Sequence, residues 1–283
     1  MPSLTLLGQS LISGVMLGGL YGLVALGLSL SWGLLRLVNL GHFALAFLGA
    51  YFVYHLGTAW HVAPWWAVLI VVPLFFLFGV LQHAVFMYFR VTELTSLLVT
   101  FGIGVIVESI LQWFWTADFR RYETHYAGAS LKIGPFYVPW LELIALLVAV
   151  ALAWASWAWL RWTYVGKALR ATAEDADIAA AFGVNHRLLS FLLSGVCAAY
   201  AAVAGAFIAL ISTLAPSQIW AWLGVVFAVV IIGRLGNPLG ALAAGILVGA
   251  AESLAMAVFS PAWAPVVSFT ILIALLLWQP RWL

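Results

Sequence analysis

Charged side chains are nearly missing from this sequence. Lys and Arg number 11 and Asp and Glu 9 in 283 residues, 7% of the chain, while hydrophobic residues make up 66% and mean hydropathy is +1.14. A soluble globular domain carries about 25% charged residues. That class is excluded, and a polytopic membrane protein is indicated. A net charge of +2 gives no reason to expect nucleic acid as a partner.

Cysteine is scarce too. Cys197 stands alone, which excludes an internal disulfide and a thiolate metal site, and its apolar surroundings mark it as a small packing residue. The six histidines show no HExxH or similar metal spacing. No GxxxxGK[ST] sequence supplies a P-loop, and no serine sits in GxSxG. The chain therefore reads as a non-enzyme that binds no metal or cofactor of its own. Its opening, MPSLTLLGQS, lacks the basic n-region and the small-residue cleavage site of a signal peptide.

Long apolar runs fill the rest. The first extends roughly from Leu4 to Leu35, too long for one span of about 20 residues. It carries Gly14, Gly18 and Gly22 four residues apart, a small-residue face that lets another helix approach closely. The polar unit Arg36-Leu-Val-Asn39-Leu-Gly41-His42-Phe43 interrupts it, and an apolar run resumes to about His55. Further spans are predicted near 63–88, 94–115, 138–160, 188–212, 219–233, 239–259 and 263–279. The fold class is all-α, a polytopic transmembrane helical bundle of about 8–9 spans with a broken helix near residues 36–43. Sixteen Trp and nine Tyr suit interfacial belts.

Charge placement sets the orientation. With the Arg161–Arg187 loop in the cytoplasm, alternation puts the turns at Arg36, Arg90 and Arg234 there, along with Arg281. The opposite turns at Gly57–Ala63, Thr213–Gln218 and Ser260–Pro265 hold no Lys or Arg, the positive-inside pattern. Thr116–Pro139 is the exception, with Arg120, Arg121 and Lys132 partly offset by Asp118 and Glu123. The N-terminus then falls outside and the C-terminus inside.

Seven of the charged residues lie in Arg161–Arg187, RWTYVGKALRATAEDADIAAAFGVNHR. Within it, Ala171 to Phe182 is expected to form one short helix: Ala-rich, with Glu174, Asp175 and Asp177 early and Gly183 at the C′ position. Ile178 and Phe182, four apart, share a face that can plug a pocket on a partner. Such a helix is either a solvated connector or a docking element.

Polar residues inside apolar spans are costly, which makes each a functional candidate. Glu108 shares a helix face with Thr100 and Gln112. Two readings stay open there: a place on a translocation path, or a structural pairing in the bundle. Glu252 follows the GxxxG face Gly245–Gly249 and suits a buried bond between helices. Asn39 and His42 flank a glycine at a helix break, where freed backbone groups need a cavity, water, a neighbour or a substrate. They either line the route, where His42 would also respond to pH, or tie the broken helix to its neighbours. Arg234-Leu-Gly-Asn-Pro-Leu-Gly240 reads as a tight turn followed by a helix start, with Pro238 in the first turn.

Three stretches carry a family resemblance. GGLYGLVALGLSLSWGLLRLVNLGHFALAFLGAY resembles the start of the inner-membrane permeases of branched-chain amino acid ABC importers; Arg36, Asn39 and His42 match, while Gly41 stands where Ala is frequent and Phe43 where Gly is usual. GKALRATAEDADIAAAFGVN is similar to that family's Gly-x-Ala-Met-Arg-Ala-x-Ala-Glu-Asp … Leu-Gly-Ile-Asn segment, with Glu174, Asp175 and Gly183 on motif positions. FAVVIIGRLGNPLGALAAGILVGAAES resembles its third motif, with Arg234 in place of the second glycine. The likeness is to the shorter of the two permease types.

The resemblance implies a single transmembrane permease domain over 1–283 in the bacterial or archaeal inner membrane, with a cytoplasmic coupling loop at about 161–187. Glu174, Asp175, Ile178, Phe182 and Gly183 would dock on an ATPase. ATP and magnesium would be bound by two partner ATPase subunits. The remaining partners would be a second homologous permease, a periplasmic or lipid-anchored substrate-binding protein and membrane lipid. Asn39, His42, Thr100 and Glu108 would line the substrate path. Permeases of this type serve branched-chain amino acids, and also urea, short amides and aromatic acids. An ATP-independent secondary transporter or channel is the rival reading.

Overall fold

The computed structural model describes residues 3–124, 126, 128–260 and 263–278. Arg281, assigned to the cytoplasm by its charge, lies outside them. Helices α1 (Leu4–Leu35), α2 (Gly41–Ala59), α3 (Pro64–Tyr88) and α4 (Glu93–Trp115) lead to a short hairpin, β1 (Ser130–Ile133) and β2 (Phe136–Pro139). Then follow α5 (Trp140–Trp162), α6 (Tyr164–Glu174), α7 (Ala176–Ala181), α8 (His186–Ile211), a 3-10 turn Pro216–Ile219, α9 (Leu223–Gly233), α10 (Pro238–Val258) and α11 (Ala264–Trp278).

Among the described residues, seven helical segments are long and apolar enough to cross a membrane: α1, α3, α4, α5, α8, Pro216–Gly233 and α10. The 19-residue α2 and the 15-residue α11 are not among them. The bundle is all-α and polytopic, with the helix lengths and composition of a multi-pass membrane protein.

The two glycine faces read from the sequence pack on each other. A Cβ at Gly18 would meet the Gly245 carbonyl oxygen and the Ile246 Cα at 2.5 Å, and one at Gly14 would meet the Ala250 Cα and the Gly249 oxygen at 2.7 Å. The backbones of α1 and α10 therefore touch, as small-residue interfaces in membranes allow. Gly18→Leu or Gly245→Leu is expected to destabilise the fold by about 1–3 kcal/mol through overpacking. Thermal unfolding in detergent checks this, with Gly102→Ala as a control, because a Cβ there meets nothing within 4 Å.

Local chemistry sets the remaining joints. Asn237 caps α10 by accepting the Gly240 N–H at 3.2 Å, and Pro238 starts that helix. The preceding turn places Gly236 at φ +74 against Gly33, as the tight-turn reading requires. Thr92 and Thr95 form a reciprocal cap at the start of α4. The hairpin inside Thr116–Pro139 has no counterpart in the expected spans. Gln9 of α1 fastens it with two amide bonds to the Tyr137 backbone, at 2.8 and 2.9 Å.

Candidate functional site

The first apolar run divides without a soluble loop. Helix α1 ends at Leu35, with Arg36 in the left-handed region at φ 54, and the chain then runs without helix through residues 36–40. At the start of α2, His42 Nε2 donates to the Val24 carbonyl at 3.0 Å. Val24 lies roughly 16 Å back along α1 from Leu35, at 1.5 Å per residue. The chain thus doubles back deep beside α1 before it becomes helical again.

Freed backbone groups at this break are held by side chains from α1 and α4. Ser31 Oγ donates to the Leu37 carbonyl at 3.3 Å. Thr100 and Ser96 hydroxyls approach the Val38 carbonyl at 3.3 and 3.4 Å, and Thr100 Oγ accepts the Leu40 N–H at 2.9 Å. Thr100 is 0% exposed. Asn39 and Gln82 of α3 face each other in a double amide pair, at 3.3 and 3.2 Å. The ring of His42 is buried against Gly27.

Asn39, His42 and Thr100 therefore come together at one joint, and Glu108 does not join them. It lies about 12 Å along α4 from Thr100 by helix rise. There it accepts the Trp220 indole N–H at 2.7 Å and the Gln112 amide at 3.3 Å. Trp220 covers Gly104 and packs on Phe101 with ring centroids 5.0 Å apart. Gln82, Ser31 and Ser96 are not marked by the sequence pattern, although Gln82 carries the signal used for Glu108, a polar side chain within an apolar run. Thr100→Val is expected to destabilise the break by about 1–3 kcal/mol by leaving the Leu40 N–H unpaired; Thr100→Ser, which keeps the hydroxyl, should restore most of the loss in a thermal-unfolding comparison.

Glu252 lies buried between three helices. Tyr21 of α1 donates to one carboxylate oxygen at 2.9 Å, and Ser268 of α11 donates to the other. This is the interhelical bond that the GxxxG context suggested. Cys197 is buried in a small cluster with Leu30, Leu34 and Leu193, as a packing residue.

The polar loop differs from the expected single helix at Ala171–Phe182. Helix α6 ends at Glu174, Asp175 adopts extended backbone (φ −151, ψ 110), and α7 starts anew at Ala176. The cause is local capping: Asp175 Oδ1 accepts the N–H groups of Asp177 and Ile178 at 3.0 and 2.9 Å. An Asp that caps a new helix cannot sit inside the old one. Gly183 does follow the helix end with φ +83, as its C′ assignment required.

Helix α6 anchors the unit by burying Ala168 and Leu169, with Gly166 pressed on Leu160. Helix α7 buries only Ala179. Ile178 is 59% and Phe182 83% exposed, and Glu174 is exposed beside them. Arg36 joins this unit to the break: its guanidinium donates to the Ala173 carbonyl at 2.8 Å and approaches that of Glu174 at 3.5 Å.

The family described as branched-chain amino acid transport system, permease component, matches residues 10–276. The chain belongs to this family. It is 26% identical to the high-affinity branched-chain amino acid transport system permease protein LivH of Escherichia coli K12, over 96% of this chain and 93% of that protein. The corresponding permease protein BraD of Pseudomonas aeruginosa is 22% identical, over 99% and 96%. A probable branched-chain amino acid transport permease LivH of Methanocaldococcus jannaschii is 25% identical, over 97% and 92%. No solved structure matches the chain.

Proposed function

We propose that this chain is the membrane-spanning subunit of an ATP-driven importer, forming half of the translocation path for branched-chain or related amino acids. Its complex would contain a second homologous permease, two cytoplasmic ATPases that bind ATP and magnesium, and a periplasmic or lipid-anchored binding protein. The observation that carries the reading is α7, a capped helix that turns Ile178 and Phe182 outward on a permease-family chain. An apolar pair on a short helix matches the helix-in-groove mode of docking. With α2 and α11 counted as spans, the bundle crosses nine times, and the α6–α7 end faces the cytoplasm.

In this reading the break at residues 36–40 borders the substrate route. Asn39 opens from Gln82 to form brief hydrogen bonds, His42 and Thr100 hold the break in place, and Glu108 stands further along the same path. Uptake of labelled leucine into vesicles, with and without ATP, tests the function. Equal uptake without ATP or ATPase subunits would replace the importer with a secondary transporter. Orientation is read separately, in a Cys197→Ala background: Ala180→Cys on the exposed side of α7 is expected to react with an impermeant reagent only from the cytoplasmic side.

A further inference from the structure

A cavity at the hairpin end of the bundle lies between α1, α5, α10 and the end of α8. We propose that it binds a primary ammonium group carried on an apolar molecule, with Glu142 as counter-charge.

Four oxygen-bearing side chains line it: Ser13 of α1 already accepts the Gln9 amide at 3.4 Å, and the other three have unused acceptors. Glu142, in the first turn of α5, is half-buried and has no hydrogen bond or ion pair among the described residues. Ser253 of α10 is 7% exposed, and its hydroxyl also lacks a partner among them. Ser212, the residue that ends α8, bonds only through its backbone N–H, to Ile208 at 2.9 Å. A half-buried carboxylate without donors loses part of its hydration, and the cavity wall holds no Lys or Arg to offset it. A cationic ligand would supply the missing counter-charge and hold the carboxyl ionised.

The donor count selects the chemistry. An ammonium has three N–H donors and no acceptor, which one carboxylate and two hydroxyls satisfy. A guanidinium needs a wider planar arrangement of acceptors. The other wall is Met16, Leu17 and Leu20, a surface for an aliphatic tail. Because no basic side chain is present, an anionic group on the same molecule would remain at the mouth.

Two sources share this chemistry. One is a free aliphatic amino acid, the substrate class of the importer reading, on which this source rests. The other is the ethanolamine headgroup of a lipid. Glu142 lies two residues beyond Trp140, whose partly exposed ring suits headgroup depth.

The assembled complex, in nanodiscs of phosphatidylcholine with or without phosphatidylethanolamine, separates these sources. Labelled leucine is titrated without ATP or binding protein, and retained phosphatidylethanolamine is measured by native mass spectrometry. Glu142→Gln is expected to weaken one of the two by about tenfold or more, the loss of a charge-assisted bond. Ser253→Ala should weaken the same one less, and Glu142→Asp should retain part of it. Weaker leucine binding in both lipid mixtures assigns the amino acid. Weaker lipid retention with unchanged leucine binding assigns the headgroup. Wild-type values of both in Glu142→Gln and Ser253→Ala complexes, with unchanged thermal midpoints, would overturn the site. If Glu142→Gln does not assemble, Ser253→Ala decides alone. Ammonium binding without any ATP-driven uptake would remove the importer reading and leave the site standing.

Discussion

Phe182→Ala is expected to reach the membrane in wild-type amounts and to lose most ATP-coupled uptake. Phe182 caps α7, and 83% of its surface is open, so truncation opens no cavity in the fold. The same ring, inserted in a groove of an ATPase, would be an anchor whose loss costs about 2 kcal/mol or more. That is roughly a thirtyfold loss of affinity. Ile178, less exposed and on the same helix, should show a smaller effect as alanine. Glu174→Lys reverses charge at the end of α6 while leaving the Asp175 cap in place, and it should uncouple without unfolding. The measurement is uptake and ATP hydrolysis in vesicles holding the whole complex. Wild-type uptake by Phe182→Ala and Glu174→Lys together would leave α7 a solvated connector.

The sequence and structure agree most where composition alone constrains the backbone. A bilayer leaves helices as the economical way to satisfy main-chain groups, so apolar run lengths located the helices to within a few residues. The small-residue faces of α1 and α10 were also legible, because both glycine repeats are visible in the chain; that the two faces pair with each other emerges only from the structure. Less legible were features decided by a single hydrogen bond. Nothing in Ala171–Phe182 distinguishes an Asp in a first turn from an Asp that caps a second helix, since both place an acid near a helix start. The break itself was signalled by Arg36, Asn39 and Gly41. Of its partners only Thr100 was, through the face it shares with Glu108; Ser31 and Ser96 are small polar residues that also sit harmlessly in apolar helices by bonding to their own backbone. Glu108 shows the limit of helix periodicity: it shares α4 with Thr100, but its main partner is Trp220, distant in sequence.

Arg36 gives the second large effect, because one side chain joins the break to the α6–α7 unit, the two parts that the proposed importer would couple. It is the first residue of the break that leads to Asn39 and His42, and its guanidinium holds the last carbonyls of α6 beside the Asp175 cap. Those carbonyls lie at the negative end of a helix, where a cation is favoured. If α7 docks on an ATPase as proposed, any tilt of it would reach this cap first and the break next. Removing the side chain should therefore leave ATPase docking intact but separate hydrolysis from movement of the break. The choice of substitution matters, since Arg36 has φ 54. Glycine adopts that conformation without strain, whereas alanine would keep the backbone cost of about 1 kcal/mol that Arg36 itself carries while losing its hydrogen bonds. Arg36→Gly is thus expected to assemble normally, hydrolyse ATP and import little, so that more ATP is consumed per leucine. Arg36→Lys, whose ammonium can reach a carbonyl but lacks the planar fork, should recover part of the coupling. If uptake and ATP hydrolysis instead fall in the same proportion as assembled complex, Arg36 is only a staple between α1 and α6. If both stay at wild-type values, the break and the α6–α7 unit are coupled by another route.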